Sequence, residues 1–126
     1  ARVLGDLSLN HIIPVATHYQ SMIAKDVQNL MVIYGAEKGK KLSERIMNII
    51  EQISERTAVI EENVEAMVEA RKVANKIQNE REKAIAYHDT VETFFQPIRY
   101  QIDKLELVVA DELWSLPKYR ELLFVR

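Results

Sequence analysis

The sequence contains no cysteine, which excludes disulfides, thiolate nucleophiles and cysteine metal ligands. Only three of its 126 residues are glycine and three are proline. An all-β fold needs a turn about every ten residues, and therefore more of both. No apolar run approaches the ~20 residues that a membrane-spanning helix requires. These absences favour an all-α protein without a membrane span. They also permit a reducing compartment, and we expect the protein in the cytoplasm.

The chain also has no excess of basic residues. Its 17 Lys and Arg against 19 Asp and Glu give a formal net charge of -2. Nucleic acids and anionic membrane surfaces are normally bound through a clearly basic face, so we expect neither partner. Hydrophobic residues make up 48% of the chain and charged residues 29%, a globular balance. The length suits one domain, and an apolar start without Met indicates a fragment of a longer chain.

Apolar residues recur every three or four positions along three stretches, which is the spacing of amphipathic helices. The predicted helices span residues 3–34, 40–78 and 80–111. Two proline residues interrupt this pattern, and we expect Pro14 to break or kink the first helix and Pro97 to kink the third. A glycine-containing break, GAEKG, separates the first two helices.

A turn near residues 76–80 is predicted between the second and third helices. Asn79 followed by Glu82 resembles a capping box at the start of the third. The apolar seams of these two helices could face each other in an antiparallel hairpin. Ser115 is expected to cap a short helix, LPKYRELL, at residues 116–123. The expected fold is therefore all-α, a long antiparallel hairpin or bundle of three main helices plus a short C-terminal helix.

No residue constellation indicates catalysis or metal binding. GAEKGKK has one residue too few for a phosphate-binding loop, places Lys41 where the hydroxyl should be, and has no preceding strand. His11, His18 and His88 belong to no metal-binding motif, and His88 falls on the apolar seam of the third helix. We therefore expect no catalytic residue, no metal ligand and no cofactor on this chain.

Three stretches are more specific than periodicity: NHIIPVATHYQ (residues 10–20), MVEARKVAN (67–75) and IRYQIDKLELVVADELWSLPKYRELLF (98–124). Together they resemble the C-terminal region of type III glutamine synthetases, and the third stretch is the strongest. The resemblance covers essentially the whole chain. It implies a parent glutamate–ammonia ligase of nitrogen metabolism that uses ATP and Mg or Mn and assembles as a large homo-oligomer. The catalytic and metal-binding residues of that family lie upstream of the region that this chain resembles.

The tail is unusual because it carries large apolar side chains and the only tryptophan. We expect six tail residues to act as docking anchors: Trp114, Leu116, Tyr119, Leu122, Leu123 and Phe124. They could close the core of this domain, or pack on the catalytic domain or on a neighbouring subunit. The expected function is a non-catalytic C-terminal domain that serves packing and oligomer assembly. The alternative is a free-standing helical protein-interaction module.

Overall fold

The computed structural model describes residues 2–109, and every secondary-structure element in this range is helical. In chain order these are α1 (Arg2–Leu7), a π-helical turn (Ser8–Ile12), α2 (Ile13–Asn75), α3 (Glu80–Ala86), a second π-helical turn (Tyr87–Val91), a 3-10 turn (Glu92–Phe94) and α4 (Phe95–Val108). The expected all-α class is confirmed. The predicted count of three main helices was wrong, because within residues 2–109 these elements form two helical segments, 2–75 and 80–108.

The first segment doubles back on itself at Gly35, which has φ 83° and ψ 167° within α2. This backbone conformation suits glycine because it has no Cβ. On either side of it, Gln20 Nε2 donates to the Ile50 carbonyl oxygen at 2.9 Å and to Ser54 Oγ at 2.6 Å. Residues 2–34 and 36–75 therefore run antiparallel, and we call them the first and second arms. The predicted break at 35–39 is a single residue, because the helix resumes directly after Gly35.

Residues 80–108 form the third arm, which runs antiparallel to the second. The turn predicted near 76–80 is confirmed, because α2 ends at Asn75 and α3 begins at Glu80. Asn79 caps α3 by accepting a hydrogen bond from the Glu82 backbone N–H at 3.1 Å. Arg56 Nη1 then donates to Gln101 Oε1 at 3.0 Å between the second and third arms.

Irregular helical turns, and not breaks in the helix, precede Pro14 and Pro97. One π-helical turn lies just before Pro14, and the other, with its 3-10 turn, lies just before Pro97. A proline lacks the N–H for the α-helical bond, and its ring crowds the carbonyl four residues earlier. In the turns before each proline, the backbone hydrogen bonds join residues at a different separation from that in an α-helix. This accommodates the missing N–H and the crowded carbonyl. Of the break or kink expected at Pro14, the break does not occur, because the helical backbone continues through it.

The core lies where all three arms overlap. The seams predicted for the second and third helices are confirmed as buried faces where the arms overlap, with core positions three, four or seven residues apart, although Leu42 and His88 are exposed. The largest fully buried apolar side chains are Ile53, Ile60, Met67, Ile98, Ile102 and Leu105. The short C-terminal helix predicted at 116–123, and the predicted end of the third helix at residue 111, lie outside the described residues.

Candidate interaction surface

The six predicted docking anchors lie beyond the described range. Trp114, Leu116, Tyr119, Leu122, Leu123 and Phe124 all belong to residues 110–126. Their docking therefore stays a prediction from the sequence. The described residues offer two other exposed features, at opposite ends of the first arm.

The histidines do not assemble a reactive or metal-binding site. His11 and His18 are exposed on the first arm. His88 Nδ1 lies 2.9 Å from Glu92 Oε2 on the third arm, and the side chain of His88 is 77% exposed. The expectation that His88 lies on the apolar seam was wrong, because the π-helical turn that contains it changes the helical phase. Within residues 2–109, no group of three His, Asp or Glu side chains could hold a metal ion.

The two glycines of GAEKG (residues 35–39) have structural roles instead of a role in phosphate binding. Gly35 supplies the reversal, with a backbone conformation (φ 83°, ψ 167°) that is open almost only to glycine. Gly39 does not end a helix. A Cβ added to Gly39 would lie 2.7 Å from the Met31 Cα and 2.9 Å from the Leu30 carbonyl oxygen. The second glycine therefore allows the two arms to approach closely just after the reversal.

The tip of the hairpin exposes large apolar side chains. Val32 is 84% exposed, Ile33 69% and Tyr34 47%. The Lys38 Nζ lies 5.0 Å from the centre of the Tyr34 ring, a cation–π arrangement that leaves most of the tip apolar. We call these three apolar residues the tip patch. Adjacent exposed apolar side chains of this size are typical of a surface that contacts another protein.

The sequence contains a signal for the tip patch that periodicity alone misses. Ile33 follows Val27 and Leu30 at three-residue spacing, which predicts a buried position, whereas its side chain is exposed. The run LMVIY directly before Gly35 places five apolar residues in succession. In a helix, five successive residues point around the whole circumference, so some of them must face solvent.

The other exposed feature is an open groove of about 600 Å³ between the start of the first arm and the second arm. It is lined by Arg2, Val3, Gly5, Asp6, Leu9, Asn10, Val64, Val68 and Arg71. The buried Arg71 Nε has no hydrogen-bond partner there. The groove and the tip patch lie about 40 Å apart along the first arm, at 1.5 Å per residue. Both present apolar surface beside a few charges.

None of the helices described between residues 2 and 109 has both the length and the apolar character needed to cross a membrane. No protein-family model matches the chain.

The chain is similar over all its 126 residues to two curated proteins. It is 44% identical to a glutamine synthetase of Bacteroides fragilis, of which it covers 17%. The chain matches a C-terminal region of a glutamine synthetase. It is also 25% identical to the type-3 glutamine synthetase of Dictyostelium discoideum, again over 17% of that protein. The resemblance inferred from the sequence motifs is confirmed, and the chain spans about a sixth of the length of these glutamine synthetases.

Proposed function

We propose that this chain is the non-catalytic, C-terminal helical domain of a type III glutamine synthetase. The observation that carries the proposal is 44% identity along the entire chain to part of a glutamine synthetase. The type-3 name of the more distant relative supports the finer assignment. The intact protein would join ammonia to the side-chain carboxylate of glutamate with ATP, in nitrogen metabolism in the cytoplasm.

The parent's cofactors, ATP with Mg or Mn, would be held outside this chain. A divalent metal needs several oxygen or nitrogen ligands around one point. Residues 2–109 bring together no group of three His, Asp or Glu side chains for that purpose. We assign no catalytic step to these residues, because the resemblance implies that the catalytic and metal-binding residues lie upstream. Their proposed contribution is to position surfaces for contact with other parts of the enzyme.

The proposed role of the domain is packing and homo-oligomer assembly, through contacts with the catalytic domain of the same chain and with neighbouring subunits. The tip patch supports this role because Val32, Ile33 and Tyr34 lie at the end of a long, two-armed hairpin. A rigid helical projection can reach a neighbouring subunit and bury apolar surface there. Each side chain of this kind contributes about 1.5–3 kcal/mol when fully buried.

The assembly role can be tested in the intact protein by placing a charge on the tip patch. Val32→Glu and Ile33→Glu would bury an unpaired carboxylate in any contact that uses the tip. Gln28→Glu, on an exposed position of the same arm, is the matched control. Native mass measurement should reveal smaller assemblies for the tip variants and unchanged assemblies for the control. Unchanged assembly size and stability in the tip variants would reject the role of this surface.

The alternative function is a free-standing helical interaction module, which could use the same exposed tip. The two functions differ in the size of the native polypeptide. An immunoblot of source cells against this segment should detect a band several times heavier than 14.6 kDa if the domain belongs to a glutamine synthetase. A band at 14.6 kDa would exclude the enzyme and favour the interaction module.

A further inference from the structure

Burial along the hairpin stops at the level where the third arm ends. Between residues 24 and 52 the only buried residues are Gly39 and Ser43, although this range is rich in large apolar side chains. Gly39 and Ser43 are small and lie one helical turn apart on the face toward the first arm. Beyond this range, Ile53 and Ile60 are completely buried. The distal half of the hairpin therefore has no third helix to cover it among the described residues.

The register of the arms defines the length of this uncovered part. Arg56 is bonded to Gln101, and the two arms run antiparallel. Val108, at the end of α4, therefore lies opposite about residue 49 of the second arm, because the rise per residue is equal in both helices. From that level to the reversal at Gly35, the hairpin extends for about 20 Å at 1.5 Å per residue.

On the second arm, the helix face that packs against the third arm stays apolar beyond the level where the third arm ends. Ile49 and Leu42 precede Arg56 at seven-residue intervals, and Ile46 precedes Ile53 by seven. Positions seven apart share one helix face. Ile46 and Ile49 are only half-buried, and Leu42 is 49% exposed. We call Leu42, Ile46 and Ile49 the distal seam.

We propose that the distal seam is the docking site of residues 110–126 of the same chain. These seventeen residues directly follow Val109, which is buried where the distal seam begins. The helix predicted at 116–123 would be about 12 Å long, and residues 110–115 before it can span the rest of the ~20 Å seam. Leu116, Tyr119 and Leu123 are spaced at three and four, so a helix would align them in one apolar stripe.

Two features favour this segment over a second molecule as the occupant. Its covalent connection at Val109 gives it an effective concentration near the seam that a separate chain lacks. Asp111 and Glu112 open the segment, and the exposed Arg45 flanks the seam at about the matching level of the second arm. The inference concerns the packing of this chain alone, and it stands or falls independently of the reaction assigned to the intact protein. It leaves the tip patch available for other contacts.

A chemical cross-link in the intact protein tests the proposal. Arg45→Cys combined with Ser115→Cys is treated with a short bis-maleimide, and the linked peptides are identified by mass spectrometry. The chain itself has no cysteine, and the unsubstituted protein shows any background from the rest of the polypeptide. The control pair replaces Arg45→Cys by Glu44→Cys, an exposed neighbour whose side chain points about 100° away around the helix.

The expected result is a link between positions 45 and 115 within a single polypeptide, formed several times more efficiently than the control link. Adding Leu42→Glu and Ile49→Glu should abolish it, and Asn48→Glu, an exposed position beside the seam, should leave it unchanged. A link that joins two polypeptides would overturn the proposal in favour of docking on a neighbouring subunit. Equal linking by both pairs, or a link that survives the seam charges, would also overturn it.

Discussion

Replacement of Gly39 by Ala should destabilise the hairpin, although Ala normally stabilises a helix. An alanine in a helix interior is favoured over glycine by about 1 kcal/mol. At Gly39 the new Cβ would lie 2.7 Å from the Met31 Cα, 2.9 Å from the Leu30 carbonyl oxygen and 3.0 Å from the Met31 nitrogen. These are backbone atoms, so no side-chain rotation can relieve the contact.

The size of the effect follows from the displacement that the contact requires. Ordinary Cβ contacts begin at 3.4 Å, so the arms must separate by at least 0.7 Å from the 2.7 Å contact. Overpacking of this kind costs about 1–3 kcal/mol. The helix-propensity gain offsets about 1 kcal/mol of that cost. Gly39→Ala should therefore lower the free energy of unfolding by up to about 2 kcal/mol.

Gly5→Ala is the matched control, because its Cβ would meet only side-chain atoms, Val64 Cγ1 at 3.6 Å and Met67 Cε at 3.8 Å. Those are ordinary contacts, so Gly5→Ala should gain about 1 kcal/mol. The difference between the two variants isolates the contact cost, about 1–3 kcal/mol. Urea unfolding followed by the helical circular dichroism signal measures both. If Gly39→Ala proves as stable as Gly5→Ala, the arms do not approach as closely as described.

Three further substitutions test other parts of the fold by the same unfolding measurement. Gly35→Ala should cost about 1–3 kcal/mol from its backbone conformation alone (φ 83°, ψ 167°), because no atom lies within 4 Å of the new Cβ. No loss would mean that the reversal is not at this residue. Asn79→Ala should cost about 1 kcal/mol by removing the cap of α3, with Asn79→Asp as the conservative control. Ile60→Ala should cost about 2–5 kcal/mol in the fully buried core. Ile85→Ala, at a 52% exposed position, should change stability little, and equal losses at both sites would contradict the assigned core.

Much of the fold could be predicted from local sequence rules, namely apolar periodicity and helix capping. The periodic apolar positions predicted the buried faces around Ile60 and Ile98, and the polar sequence before Glu80 predicted the turn and the Asn79 cap. These features depend on residues a few positions apart, which is the range over which helix periodicity and capping act.

Other features depend on how the arms meet, and local rules missed them. GAEKG predicted a break five residues long, whereas Gly35 alone reverses the chain and Gly39 serves the contact between the arms. Local rules predicted a break or kink at Pro14 and a kink at Pro97, but not the π-helical turn that precedes each proline. The run LMVIY shows that some apolar residues before Gly35 must face solvent, but the packing of the arms decides which, and Val32 and Ile33 are the most exposed of them.

The most direct test of the account is glutamine formation by the intact polypeptide that contains this segment. The purified protein is incubated with glutamate, ammonia, a divalent metal and ATP, and glutamine is measured against a reaction without ATP. The account predicts ATP-dependent glutamine formation by a polypeptide far heavier than 14.6 kDa. Absence of ATP-dependent glutamine formation in a folded, metal-loaded preparation would contradict the assignment to a glutamine synthetase.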